Sequence, residues 1–284
     1  MSNGLYNGLD NGLQKGEYNG QLNGLELGMF DNEIVIKKQV IQEGLQLYLD
    51  FSNPRCYNSG RGQIGDTVSN LVNGSTKKLT IGNLTGRTTA NAPYVEYNPI
   101  PYWNNYTLNG TGQNYLTSPN NTDFDIGIGT SGATWSMWVN IPVSCPDYGV
   151  FMGKTIAGFV VGRWQMYFMN TMAVGFLIQI DNNTFIQSAN NVLKLDTWHC
   201  LTATYIRDYG IRLYVDNKLV AEGTTTPTIS NMTVNAPFRI GTHSGNINDS
   251  GARFKMNYAT IYNRCLTRSE LTYNYNTTKQ FMKV

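Results

Sequence analysis

From Gly44 onward the chain is organised by a period of two. Leu45, Leu47 and Leu49 alternate with Gln46, Tyr48 and Asp50. Alternation of this kind buries one set of side chains and turns the other toward water or a second layer, as a strand does. Trp135, Met137, Val139 and Ile141 repeat the pattern, with Trp138 facing the other way. Phe176, Ile178 and Ile180 predict another strand, and the turn residues Asp181-Asn182-Asn183 return it through Thr184-Phe185-Ile186. Leu201, Ala203 and Tyr205 lead through Asp208-Tyr209-Gly210 into Ile211, Leu213 and Val215. Asp216-Asn217 tolerates the positive φ angles of a two-residue hairpin, which Lys218-Leu219-Val220-Ala221 completes. Phe238-Arg239-Ile240 and residues 256–262 supply two late strands. Many short strands joined by turn residues mean an antiparallel sandwich or a barrel. One helix is predicted, over residues 267–277. Thr267 and Glu270 have capping-box spacing, and Leu266 and Leu271 stand where a hydrophobic staple would.

The first thirty residues follow another rule. Glycine recurs every fourth position, at Gly4, Gly8, Gly12, Gly16, Gly20, Gly24 and Gly28, and Leu5, Leu9, Leu13 and Leu25 follow four of these. Collagen requires a period of three, so a triple helix is excluded. Asn precedes glycine five times, and Asn-Gly is a turn dipeptide that resists helix. The segment is either extended with its glycines on one face or a run of turns. It cannot bury its own leucines, which favours a docked arm over a free linker. Ile34-Val35-Ile36 and Val40-Ile41 then read as a short strand or connector. Residues 1–43 are the expected arm and connector, and residues 44–284 the expected domain.

Gly44-Leu45-Gln46-Leu47-Tyr48-Leu49-Asp50 followed by Asn53-Pro54 resembles the opening strand of laminin-G-like, concanavalin A-like domains found in bacteriophage and bacterial surface proteins. Thr197-Trp198-His199 with Tyr205, and Arg212-Leu213-Tyr214-Val215-Asp216-Asn217-Lys218-Leu219-Val220, are similar to their central strand and hairpin. Phe238-Arg239-Ile240-Gly241 looks like the next strand. Ile261-Tyr262-Asn263-Arg264-Cys265-Leu266-Thr267, with Glu270 and Asn274-Tyr275-Asn276, resembles their ending in a short helix. The resemblance spans residues 44–284 and implies an all-β, two-sheet antiparallel jelly-roll sandwich with an extended N-terminal arm. It says less of function, because this fold hosts lectins, glycosidases, protein-binding modules and virion parts.

Composition narrows the function classes. Charged residues are only 14% of the chain and the net charge is +2. No Lys/Arg run marks a nucleic-acid partner, and no apolar stretch approaches a transmembrane helix. Met1-Ser2-Asn3-Gly4 lacks the basic and apolar regions of a signal peptide, so a cytoplasmic origin is expected. Cys56, Cys145, Cys200 and Cys265 form no Cys-x-x-Cys motif and read as buried or half-buried thiols. No cofactor and no metal site are expected. Asp50, Asp123, Asp125 and Asp249 are conceivable calcium ligands, but no loop of regular spacing joins them, and solvated loops are the simpler reading.

Concanavalin-like glycosidases place paired carboxylates on one strand, about 5–5.5 Å apart for retention. Every glutamate here is isolated, and Asp123 with Asp125 falls in a loop sequence. His199 follows Trp198 at a strand start and reads as structural, while His243 sits in a glycine-bounded loop. The chain is therefore expected not to be an enzyme. Sugar binding needs an aromatic face with amides nearby. Tyr102, Trp103 and Tyr106, with Asn104 and Asn105, form the richest cluster, and Trp164 with Tyr167 the second. Ordinary core packing competes for both. The resemblance favours a structural virion protein of a tailed bacteriophage, such as a head fibre or decoration subunit. The arm would join it to other virion proteins, a homotrimer would supply partner surface, and cell-surface glycans would be weakly held. A bacterial surface or secreted carbohydrate-binding module stays open as the alternative.

Overall fold

The computed structural model describes residues 21–22, 25–30, 33–38, 40–57, 65–83, 94–96, 101–106, 114–120, 122–125, 132–155, 162–179, 183–207, 209–223, 233–243 and 251–282. The chain forms two compact units, Gln42–Thr267 and a second made of Met1–Ile41 with Arg268–Val284. The second unit contains a three-stranded antiparallel meander, β1 (Gln21–Leu22), β2 (Leu25–Phe30) and β3 (Glu33–Lys38). Leu25 pairs with Lys38 and Gly28 with Val35, so the arm is extended where it is described. Gly4, Leu5, Gly8, Leu9, Gly12, Leu13, Gly16, Gly20 and Gly24 lie outside the described residues.

The sandwich begins with β4 (Leu45–Asp50), β5 (Thr67–Ser69), β6 (Lys78–Asn83), β7 (Tyr94–Glu96), β8 (Tyr102–Asn104) and β9 (Asn114–Thr117). Its middle is β10 (Gly132–Asn140), β11 (Val150–Lys154), β12 (Trp164–Met169), β13 (Ala173–Gln179) and β14 (Asn183–Gln187). It ends with β15 (Trp198–Ile206), β16 (Gly210–Val215), β17 (Lys218–Gly223), β18 (Arg239–Ile240) and β19 (Lys255–Tyr262). Helix α1 (Arg268–Lys279) follows in the second unit, with Glu270 in its first turn and Lys279 in its last, as the helix dipole favours. The capping signal placed its start within one residue of the observed one. The helix groups with the N-terminal segment, where Ile41 N–H donates to Asn274 Oδ1 at 2.9 Å.

One eight-stranded sheet runs β17-β16-β15-β10-β19-β8-β7, with β4 also pairing β19; the other runs β14-β13-β12-β11-β18-β9-β6-β5. Every ladder between strands is antiparallel. The hairpin between β16 and β17 turns as expected, with φ of 50° at Asp216 and 64° at Asn217. Period-two alternation sends Trp135, Met137 and Val139 of β10 and Leu201 and Ala203 of β15 into one core with Met166, Phe176 and Ile240 of the opposite sheet. Trp135 crosses the interface to reach Trp164 and Phe176, with ring centroids 5.0 and 4.7 Å apart. Sheets stacked about 10 Å apart leave room for one such layer of interleaved rings.

Polar side chains complete this interior by standing in for backbone. Fully buried Asn105 accepts from Phe254 N–H at 2.9 Å and donates to Ala252 C=O at 2.7 Å. Asn70 accepts from Tyr48 N–H and donates to Gln46 C=O, both at 2.9 Å, extending the ladder beyond the edge of β4. Asparagine does this without a net charge, which is how a chain with few charged residues satisfies its buried backbone groups.

Lys154, at the end of β11, is fully buried. Its ammonium donates to Asp123 C=O at 3.0 Å and pairs with the Asp125 carboxylate. Burial pulls the lysine below its usual value and pushes Asp125 above its own, while the pairing opposes both shifts. Asp50 and Asp123 are buried rather than solvated. Asp50 Oδ1 accepts from Ser52 N–H at 3.0 Å, and Asp50 closes its own turn. Asp249 lies outside the described residues.

Two stability outcomes follow from this packing. Trp135→Ala is expected to cost about 3–5 kcal/mol, because its ring volume lies between two sheets that cannot close over the loss. Lys154→Met is expected to cost about 3 kcal/mol by leaving Asp125 and Asp123 without their cation, and the double variant K154M/D125L to regain part of it. Urea midpoints at constant m-value measure both.

Candidate functional site

The two sheets differ in their outer faces. Behind the core side of β10, β15 and β19 lie Trp138, Thr204, Tyr258, Thr260 and Tyr262, and all are buried. The hydroxyls of Ser136 and Thr202 there bond each other at 2.8 Å. The outer face of the other sheet is half-exposed instead. Strand register sets Thr80, Thr117, Arg239, Gly153, Gln165 and Leu177 in one row across it. A second row holds Tyr167, Gly175 and Gln187, and Tyr115 pairs with Gly82 on the same face.

Two tyrosines lie flat on this face because glycine faces them across the ladder. A Cβ on Gly175 would come within 2.2 Å of the Tyr167 ring, and one on Gly82 within 2.3 Å of the Tyr115 ring. Tyr148 then stacks on Tyr167, with centroids 6.1 Å apart and ring planes 29° apart. Burial and the neighbouring Tyr148 push the Tyr167 hydroxyl up to about 12, so it is a hydrogen-bonding phenol at any ordinary pH. Tyr148 itself is 57% exposed. Its φ is +55°, a left-handed conformation that bulky residues rarely adopt and that occurs preferentially at binding sites. Asp147 Oδ1 holds the loop by accepting from Tyr148 N–H at 3.0 Å and Asn170 N–H at 2.8 Å. An aromatic face is thus fixed in solvent at the edge of a polar sheet surface.

Cationic groups occupy the middle of the same face. The Arg239 guanidinium lies 5.0 Å from the Tyr115 ring centroid and donates to His243 C=O at 3.3 Å. Arg163 precedes Gln165 by two positions, and the ladder continues past it through Gln179 N–H to Arg163 C=O at 2.8 Å, so both project on one side. His243 is held below the usual imidazole range by burial first, then by Arg163 and Arg239.

The residues expected to form sugar platforms are elsewhere. Trp103 and Trp164 are fully buried, and Tyr102 and Tyr106 are 6% and 7% exposed. Alternation sends Trp103 inward, where it stacks on Phe51 and meets the edge of Phe254, while Trp164 packs against Trp135 and Phe238. Tyr102 is enclosed between Trp198, 5.9 Å away, and the Lys255 ammonium, 5.0 Å from its ring centroid. All four are packing residues in this structure, and no face is left for a ligand ring. Of the second expected cluster Tyr167 lies on the outer side of the sheet, 6% exposed beneath Tyr148. Tyr148 was missed. The one sign of it in the sequence is an aromatic residue inside the turn-forming run Pro146-Asp147-Tyr148-Gly149.

The histidine and aspartates singled out in the sequence make structural contacts where they are described. His199 Nδ1 meets Asp216 Oδ2 at 2.7 Å, and Nε2 faces Lys194 N–H at 3.0 Å and its carbonyl at 3.1 Å. With both ring nitrogens engaged, the histidine braces the β15–β16 hairpin and has no site left for a nucleophile's proton. Asp123 and Asp125 face Lys154. Among the described residues no group of three or more His, Cys, Asp or Glu side chains is placed to hold a metal ion. The four cysteines are free thiols, and burial pushes Cys145 and Cys200 up to about 12, far from the range of reactive thiolates.

Comparison with known proteins agrees with the architecture. Botulinum neurotoxin type C, whose passage into cells depends upon interaction with two ganglioside molecules, aligns with a TM-score of 0.54 and 11% identity, over 82% of this chain and 51% of that one. The binding domain of botulinum neurotoxin DC, solved in complex with rat synaptotagmin II, gives the same four values. The binding domain of Paraclostridial Mosquitocidal Protein 1 aligns at a TM-score of 0.51 and 13% identity, over 82% of this chain and 52% of that one. The chain spans about half the length of these solved chains, and at such identities they show the fold alone. A search of curated proteins finds no match. A family model described as the concanavalin A-like lectin/glucanases superfamily matches residues 109–272, more than half of the sequence. The chain belongs to the concanavalin A-like lectin/glucanase superfamily.

Proposed function

We propose that this chain is a non-catalytic saccharide-binding subunit whose contact surface is the outer face of the β11–β14 sheet. The observation that carries the reading is Tyr148, a half-exposed ring held in left-handed backbone and stacked on Tyr167. Aromatic faces cover the apolar side of a sugar ring, and the amides of Gln165 and Gln187 on the same face suit its hydroxyls. Glycoside hydrolysis would need two carboxyl groups about 5–5.5 Å or 6.5–9.5 Å apart. The described strand positions of this face carry none. The interaction of a structural neighbour with gangliosides is consistent with saccharide recognition on this fold.

The setting we propose is a tailed-bacteriophage particle, with the chain as a head fibre or decoration subunit. The support is the resemblance of residues 44–284 to phage domains and the glycine-periodic arm, whose described part is an open antiparallel meander. Strand edges of this kind pair readily with another chain, and a homotrimer held to other virion proteins would use them. A bacterial surface or secreted module would use the same sugar face.

Tyr148→Ala is expected to weaken binding to any glycan the full chain recognises by about tenfold while leaving the unfolding free energy in urea within about 0.5 kcal/mol of the parent. A glycan array followed by calorimetry on its strongest member measures this, and unaltered affinity would remove Tyr148 from the site. Deleting residues 1–30 is expected to leave the sandwich folded and to abolish its incorporation into particles. Normal occupancy of the truncated chain would move the anchoring surface onto the sandwich.

A further inference from the structure

We infer that the Lys154 and Asp125 side chains condense into an amide, an intramolecular cross-link between the end of β11 and the loop at residues 122–125, with the Asp123 carboxyl relaying the proton. Alternation carries Met152 of β11 into the core and Gly153 to the outer face, so Lys154 points inward between the sheets. Strand pairing sets it opposite Trp164, which pairs in turn with Ile178, and all three are fully buried. The lysine nitrogen pairs directly with the Asp125 carboxylate and donates to Asp123 C=O at 3.0 Å. Phe124, between the two aspartates, holds both against it. Phe124 is buried, its ring meets Phe238 edge-on at 5.0 Å, and its φ is +59°, a left-handed conformation uncommon for a bulky residue. Phe238 lies 5.9 Å from Trp164, so an aromatic wall runs from the neighbour of Asp125 to the neighbour of Lys154.

An ion pair in such a setting carries a desolvation cost that a neutral amide of the same atoms avoids. Burial favours the uncharged forms of both groups, an amine and a carboxylic acid, which are the forms that react. The proton passes from the ammonium to the Asp125 carboxylate. The Nζ lone pair attacks Cγ, the Nζ–Cγ bond forms, and the carbonyl oxygen takes up the displaced electron pair. Val234 N–H, which already donates to this carboxyl group, stabilises that oxygen. The Asp123 carboxylate acts on the same nitrogen electrostatically, and its Oδ2 is buried with no hydrogen-bond partner among the described residues. It takes the second proton from nitrogen and delivers it to the hydroxyl of the intermediate. The carbonyl re-forms, the Cγ–OH bond breaks, and one water leaves. No oxidant, reductant or other reactant enters. The amide N–H keeps the bond to Asp123 C=O, and the amide oxygen keeps the one from Val234 N–H. Among the described residues Lys77 is the further charge that bears on both groups. Groups held in contact in a fixed geometry react as though present at on the order of 10⁵ M or more, which is how a slow condensation becomes accessible without an enzyme.

The test is the intact mass of the full chain under denaturing conditions, followed by tandem mass spectrometry of its protease digest. The parent is expected to be lighter than its sequence by the mass of one water. Its digest is expected to hold a branched peptide that joins the segment carrying Lys154 to the segment carrying Asp125. K154R keeps a cation beside Asp125 but offers no amine, so its mass should match its sequence. D125N should form the same bond with loss of ammonia in place of water. D123A should join about a hundredfold more slowly in a time course after synthesis, the scale of general acid–base catalysis. Variants are read only where circular dichroism shows the parent fold, and the parent measurement stands without them. A parent at full mass, or a water lost with no branched peptide, overturns the inference and leaves Lys154 and Asp125 an ion pair. A folded D123A chain that joins as fast as the parent overturns the relay.

Discussion

Trp135 stands on one sheet and packs against Trp164 and Phe176 of the other, at 5.0 and 4.7 Å between ring centroids. This aromatic interleaving fixes the spacing of the two layers, and the rest of the architecture follows from it. Trp164 extends the layer to Phe238, and Phe238 to Phe124, so that the loop at residues 122–125 closes one end. Trp103 and Phe254 continue it on the other side through Phe151. Because the large rings are committed to the interior, they cannot also serve as ligand platforms. The contacts proposed for a saccharide fall instead on tyrosines of the outer surface.

Period-two alternation assigns every strand two faces, but it does not make the two outer faces alike. Behind β10, β15 and β19 the outer residues are threonines, tyrosines and a tryptophan, all buried. On the other sheet Thr80, Thr117, Arg239, Gln165 and Leu177 are half-exposed, and glycines at 82 and 175 leave room for the rings of Tyr115 and Tyr167. Removing a side chain from a strand weakens it locally. Here each loss at 82 and 175 admits a ring, and the stacked tyrosine restores the packing that the glycine gives up. The face that results carries Tyr148, in left-handed backbone, at its rim.

Ionic groups act as braces in this molecule. Lys154 ties the loop at residues 122–125 to the end of β11, and Asp216 receives both His199 Nδ1 and Cys200 N–H, fixing the turn between β16 and β17 to β15. One of these groups, the aspartate pair Asp123 and Asp125, resembles chemistry when met in the sequence alone. In space each carboxylate already faces a cation or a backbone donor. The asparagines at 70 and 105 do the same work without charge.

The sequence by itself determined strands β4, β10 and β13 to β19, the Asp216-Asn217 hairpin, the start of α1 and the all-β sandwich, because these depend on alternation and local turn chemistry. It also marked the N-terminal repeat as a separate segment. The short strands β5 to β9 and the pair β11 and β12 were less legible, since runs such as Thr67–Ser69 are too brief to show a period. Only the tertiary structure decided which aromatics face solvent. A tryptophan beside asparagines looks the same whether its strand turns it inward or outward, and Trp103 and Trp164 turn inward through register with residues far along the chain. Tyr148 becomes a platform through its left-handed backbone and through Tyr167, whose ring lies flat because the residue opposite is Gly175. Those three positions are joined by strand pairing and stacking, and no local pattern of residue types encodes a contact made across a sheet.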